Sequence, residues 1–207
     1  SITEGYSKEY RDLNLCDGRY HEESRPEISE MEAVQRAALF AEETGCRLHI
    51  CHLSSSRAGE IIKKAKARGV SLTVETCPHY LTLTVEDLSR CGGFAKCNPP
   101  LRSKENQDRL WEMIENNEID CIATDHTPYT DFDRAKHGGD IWEMPAGIGG
   151  SELFLPLLID EGFHKRNVGL EQIARLTALN PARIFGLYPR KGAIDVGFDA
   201  DLTFIDL

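Results

Sequence analysis

The stretch Ile119–Tyr129, IDCIATDHTPY, runs through five mostly apolar residues into Thr124, Asp125 and His126, and Pro128 then closes it. Such a run reads as a buried strand that delivers an acidic side chain to its C-terminal tip. In a barrel or an open α/β sheet, that tip is where metal-binding and catalytic groups collect. A carboxylate so placed can hold a cation or move a proton, so Asp125 is the first candidate for chemistry.

Outward from this strand the chain alternates. SEMEAVQRAALFAEET (29–44) reads as a helix with Ser29 as N-cap, Glu32 completing a capping box and Gly45 ending it. RLHICHL (47–53) is β-rich, and SRAGEIIKKAKARG (56–69) is an amphipathic helix. VSLTVET (70–76), FAKCN (94–98) and the run from Ile119 give three further strands, with helices over 84–90 and 104–118 between them. Four strand–helix repeats with short connections predict a parallel sheet with crossover helices. The fold class is therefore α/β. Two architectures compete: part of a (β/α)8 barrel, or a flavodoxin-like open sheet. No strand is followed by a Gly-rich phosphate loop, which counts against the open sheet. Residues 127–149 break the rhythm and read as a long site wall or lid. Helices resume over about 150–164, 169–178 and 180–187. The organisation expected is a partial barrel over 1–187, and short return strands of a β-sandwich over 188–207.

Composition narrows the function classes. The chain has 207 residues and a formal charge of −10, with 24 Lys and Arg against 34 Asp and Glu. No basic cluster invites nucleic acid, and no apolar run approaches the roughly 18–20 residues that span a bilayer. The seven cysteines contain no C-x-x-C pair, and Cys51, Cys77, Cys97 and Cys121 lie in or beside apolar runs. Free, buried thiols in a reducing cytoplasm fit that pattern better than disulfides or zinc ligation. Ser1 in place of an initiator Met, a loop-like Ile2–Gly5 and a strand-like DADLTFIDL at the end read as a piece of a longer chain.

Polar groups recur at the strand tips. His52 ends the first strand, His79 follows the second, Asn98 the third, and Asp125 and His126 the fourth. Neutral imidazole with carboxylate suits Zn²⁺ or Mn²⁺. A metal at such a rim would activate water, and Asp125 would act as general base and then general acid. Alternation sets His49 and Cys51 on the face opposite Leu48, Ile50 and His52. His49 is expected in the core, and His79 and His126 in supporting roles. His21, His137 and His164 take no role, and Trp111 and Trp142 are read as packing residues.

In order, CHLSSSRAGEI, ETCPHYLTL, KCNPPLRSKENQDRLW, IDCIATDHTPY and GIGGSELFLPLL resemble the cyclic amidohydrolases: allantoinase, dihydropyrimidinase (hydantoinase) and dihydroorotase. The resemblance covers about Ser24 to Leu207. It implies the C-terminal half of a (β/α)8 TIM-like barrel with part of a small β-sandwich. It further implies a metal-dependent hydrolase that opens the C–N bond of a small cyclic amide, and a dimer or tetramer. His52 takes the place of a histidine metal ligand, and Asp125 that of the aspartate that is both ligand and proton shuttle. Asn98, Ala146 and Gly147 take positions that meet the substrate ring. Two zinc or manganese ions bridged by a carboxylated lysine are implied, but this chain has no H-x-H and no matching lysine, so it supplies two of six expected ligands and by itself should not hydrolyse. Tyr129 replaces the histidine that dihydroorotases present after D-H-A-P, which leaves allantoinase or hydantoinase chemistry ahead of dihydroorotase. A non-catalytic relative acting in assembly is the remaining alternative.

Overall fold

A computed structural model describes all residues 1–207. Three parallel strands, β1 (Leu48–Ile50), β2 (Leu72–Thr76) and β3 (Cys121–Ile122), form a sheet in the order β1-β2-β3. Leu48, His49 and Ile50 stand opposite Leu72, Thr73 and Val74, and Glu75 and Thr76 opposite Cys121 and Ile122. Because strand side chains alternate, this register sorts the sheet into two faces. Leu48, Ile50, Leu72, Val74 and Ile122 join the apolar core. His49, Thr73, Glu75 and Cys121 share the other face.

The helices that cover the apolar face follow from spacing and caps. After α1 (Ile2–Asp12) and α2 (Arg19–Glu23), α3 (Glu27–Thr44) buries Val34, Ala38 and Ala41 at i, i+4 and i+7. Gly45 ends it in the left-handed conformation, its N–H bonded to the Ala41 carbonyl. In α4 (Ser56–Ala67), Ser55 caps the start by accepting from the Ala58 N–H, and Ala58, Ile62 and Ala65 face inward. A Cβ on Gly59 would run into the end of the Met113 side chain, so this glycine lets α4 press against the helix that carries Met113. After α5 (Pro78–Thr82) and α6 (Val85–Cys91), that helix is α7 (Lys104–Glu115), capped by Ser103 and burying Leu110, Trp111 and Ile114. The Trp111 indole donates to the Leu81 carbonyl, 2.9 Å away, which satisfies its one polar atom inside the core. Beyond β3 come α8 (Asp131–Ala135), α9 (Phe154–Leu157) with wider π-type turns over Leu158–His164, α10 (Leu170–Ala174) with a second such stretch over Arg175–Leu179, and α11 (Asn180–Ile184). None is long and apolar enough to cross a membrane.

Several expectations change. FAKCN is not a strand: Gly92–Ala95 is one 3-10 turn, and β2 pairs directly with β3. Lys96 explains this, because its buried amine donates to the carbonyls of Ile141 and Met144, and its own carbonyl accepts from the Gly147 N–H. The segment is thereby spent on the 141–147 loop and has no partner for a ladder. Ile2–Gly5 opens helix α1 instead of a loop, with Ser1 and Glu4 forming a reciprocal capping box. Ser29 caps nothing: α3 begins two residues earlier and the Ser29 hydroxyl is buried without a partner. His49 is not in the apolar core but on the polar sheet face. Residues 188–207 contain no strand, and Ile194, Val196 and Phe204 are exposed.

Candidate active site

His52 and Asp125 follow the C-terminal ends of β1 and β3, one strand apart on the same rim of the sheet. Both have left-handed backbones, with φ of +43° and +44°. For residues other than glycine that conformation costs about 1–2 kcal/mol, and it persists where the surroundings over-determine it. The sharp turn also breaks the strand alternation at His52, so its direction is set by the turn.

The turn after His52 is tied down by buried charge. The Glu30 carboxylate, from α3, accepts from the backbone N–H groups of Ser54 and Ser55 at 2.8 and 3.2 Å and from the Ser54 hydroxyl at 2.5 Å. Arg102, whose side chain is 4% exposed, donates to the Ser54 hydroxyl, to Glu22, to Glu30 and to the Arg25 carbonyl. Asn106 closes the set, donating to the Ser54 carbonyl and accepting from the Ser56 N–H. Within this fixed frame the Nδ1 atom of His52 is buried and has no hydrogen-bond partner. Buried polar atoms without partners are rare enough to call for a cause, and a nitrogen lone pair awaiting a cation is one. The residues present therefore fit a metal. His79, on α5, also carries a partnerless buried nitrogen, and burial, aided by the nearby His52, pushes its pKa down to about 4. It stays neutral near pH 7, which suits the supporting role expected of it.

Asp125 sits differently. Its carboxylate is exposed and makes no ion pair or side-chain hydrogen bond, so it is free for a ligand. It lies near enough to β1 to help raise the pKa of the Cys51 thiol, after burial and Glu75. Its neighbours are held through backbone. His126 bridges to Ile148, the Thr127 N–H donates to the Ile148 carbonyl at 3.1 Å, and His126 Nδ1 accepts from the N–H groups of Gly150 and Ser151 at 3.0 and 3.2 Å. His126 thus ties the strand tip to the loop that carries Ala146 and Gly147.

Asn98 joins His52 in a groove of about 620 Å³, lined also by His49, Cys51, Glu30 and Arg102; Asp125, Ala146 and Gly147 stand outside it. The Gly147 N–H donates to the Lys96 carbonyl and its carbonyl accepts from Arg134, which leaves it one carbonyl lone pair for a ligand. A Cβ on Gly147 would lie 2.6 Å from Thr127 Cβ, so this glycine permits close approach of the two segments. The peptide groups of Ala146 carry no such bonds and remain available. Sequence reading missed Arg134, which is buried, donates to the carbonyls of Gly93 and Gly147, and packs over Phe94 and Tyr129. It also missed the Glu30–Arg102 pair. Acidic and basic residues at these two positions look like ordinary surface charge in one dimension; only their meeting across 72 residues of chain marks them.

Comparison with known proteins agrees with this geometry. Residues 28–207 match the model of the amidohydrolase family. The chain is 43% identical over 206 residues to an allantoinase of Solibacter usitatus and 44% identical over 183 residues to one of Rubrobacter xylanophilus, covering 100% and 88% of itself. Among solved structures it resembles the L-hydantoinase (dihydropyrimidinase) of Arthrobacter aurescens, with a TM-score of 0.92 and 36% identity over 96% of the chain. It likewise resembles the D-hydantoinase of a Thermus species, with a TM-score of 0.93 and 31% identity over 96%. The chain spans 44% and 40% of the two allantoinases and 44% of each hydantoinase, so its three strands and their helices are part of a barrel. With the family model matched over that length, the chain belongs to the amidohydrolase family.

Proposed function

We propose that the protein containing this chain is a metal-dependent hydrolase that opens a C–N bond of a small cyclic ureide or imide, with allantoin first and hydantoins second. One observation carries the proposal: His52 with its partnerless buried Nδ1, and Asp125 with its unpaired carboxylate, stand on one rim in constrained turns. The allantoinase relatives support the order of substrates.

His52 and Asp125 would help to hold two divalent cations, zinc or manganese, together with ligands from outside this chain, a carboxylated lysine among them. When bound, such a cation supplies Lewis-acid polarisation of the scissile carbonyl and of the attacking water. Asp125 then does the proton work. It takes a proton as water oxygen bonds to the carbonyl carbon, and returns it to the ring nitrogen as the C–N bond breaks. Asn98 offers an amide to the ring's polar edge, and the Ala146 peptide groups offer a second contact. Gly147 sets the position of Ala146. The seven unpaired cysteines fit a reducing cytoplasm. We further place residues 188–207 as strands of a β-sandwich that need pairing partners, and expect a dimer or tetramer.

The test is turnover of allantoin, hydantoin, dihydrouracil and dihydroorotate by the full-length, metal-loaded protein and its Asp125→Asn variant. Loss of a general acid–base group predicts a fall in kcat of about 10²–10⁴-fold per bound metal, with metal content measured alongside because Asp125 is also a ligand. Wild-type rates in Asp125→Asn would remove the aspartate from the chemistry, and no turnover of any of the four by the wild type would remove the hydrolase reading.

A further inference from the structure

On the polar face of the sheet, below the rim, three unlike donors converge. His49 from β1, Glu75 from β2 and Cys121 from β3 place a ring nitrogen, a carboxylate oxygen and a sulfur all within 4.8 Å of one another. Glu75 and Cys121 are register partners on adjacent strands, and His49 reaches across from β1 so that its Nε2 lies 3.1 Å from Glu75 Oε2. The site is partly shielded: the His49 and Glu75 side chains are 18% and 12% exposed, Cys121 is buried, and His49 also borders the groove that holds His52.

The second nitrogen of His49 adds an independent point. Its Nδ1 lies 2.8 Å from the Thr73 hydroxyl oxygen. Ligating histidines commonly have their other ring nitrogen fixed by such a bond. In the Nε2–H tautomer the ring donates to Glu75 at 3.1 Å and accepts from Thr73; in the Nδ1–H tautomer it donates to Thr73, and the Nε2 lone pair and the carboxylate oxygen then face a position that a cation can fill. We propose that His49, Glu75 and Cys121 form a binding site for one borderline-soft divalent cation, Zn²⁺ foremost, that clips the three strands together beneath His52 and Asp125.

The donor set selects the ion. Mixed nitrogen, oxygen and sulfur donors favour zinc and its neighbours over magnesium or calcium, which take oxygen. One neutral imidazole, one carboxylate and one thiolate balance a dication. A thiol that coordinates such a cation gives up its proton. Around zinc, with ligand distances of about 2.0–2.3 Å, neighbouring donor atoms stand roughly 3.3–3.6 Å apart. With the three donor atoms within 4.8 Å of one another, the widest gap has to close by only about an ångström. The competing arrangement is a proton shared between His49 and Glu75, with Cys121 merely packed beside them.

Cobalt separates the two, because neither His52 nor Asp125 carries sulfur. Full-length protein stripped with a chelator and titrated with Co²⁺ should develop the near-ultraviolet charge-transfer band of a cobalt–thiolate bond. Asp125→Asn and Cys51→Ser should keep the band, Cys121→Ser should lose it, and His49→Gln should weaken Zn²⁺ binding to this site at least tenfold in competition with a chelating dye. The proposal is overturned by wild-type protein that binds Co²⁺ without the band, or by a band that survives Cys121→Ser. The wild-type spectrum is decisive even where a variant fails to fold, and the Asp125→Asn spectrum separates this clip from the hydrolase reading.

Discussion

The turns that carry His52 and Asp125 look alike in backbone and differ in what holds them. Behind His52, Glu30, Arg102, Ser54 and Asn106 form a buried, fully bonded polar network that joins α3 to the segment leading into α7. Behind Asp125 the attachments are a main-chain bond from Thr127 to Ile148 and the His126 ring, which accepts from Gly150 and Ser151, and the carboxylate itself is exposed. A residue that only ligates can be locked in a low-dielectric frame. One that must also pick up and release a proton needs solvent access and a carboxylate no arginine has claimed. The contrast is the one expected if His52 is a fixed ligand and Asp125 the moving part of the chemistry.

The contrast can be broken first at Arg102. Arg102→Ala leaves the mostly shielded Glu30 beside Ser54 without its counter-charge, and removing the buried partner of such a pair costs up to about 3–5 kcal/mol. Denaturant unfolding of the full-length protein should show that loss, with weaker metal retention as the His52 turn relaxes; a change below about 1 kcal/mol would mean the turn holds itself. On the other side, Gly147→Ala pushes a methyl group into Thr127, at a cost of about 1–3 kcal/mol for overpacking. Here kcat/KM for the cyclic amide should fall while metal content stays near wild type. Metal loss on that substitution would show that the two turns are not independently supported. The smallest effect is expected at His126. His126→Ala removes an exposed acceptor of two backbone N–H bonds and should cost about 0.5–1.5 kcal/mol, with a raised KM and little change in kcat. A fall in kcat as large as that of Asp125→Asn would make His126 part of the chemistry.

What was legible in one dimension was what depends on near neighbours. Helices α3, α4 and α7 announce themselves by apolar spacing, α3 with Gly45 at its end, and β2 by its β-rich run. The rim residues His52 and Asp125 stood out because an apolar run feeding a polar tip is a local pattern. FAKCN misled because a short, mostly apolar run stopped by Pro99 and Pro100 looks like a strand, but the Lys96 amine finds two carbonyls in the 141–144 loop and draws the segment off the sheet. Ser29 misled because the acids near it, Glu27 and Glu30, turn outward from the helix start to Ser55 and Ser54.

The residues themselves determined the α/β class, the order of strand and helix, and which two side chains arrive at the strand tips, since each follows from hydrophobic period and local turn chemistry. Tertiary structure alone decided that β2 lies between His52 and Asp125, that His49 meets Glu75 and Cys121, and that Glu30 and Arg102 pair behind the rim. These are contacts between segments far apart along the chain, fixed by the closing of a core around them, and no spacing within one segment records them.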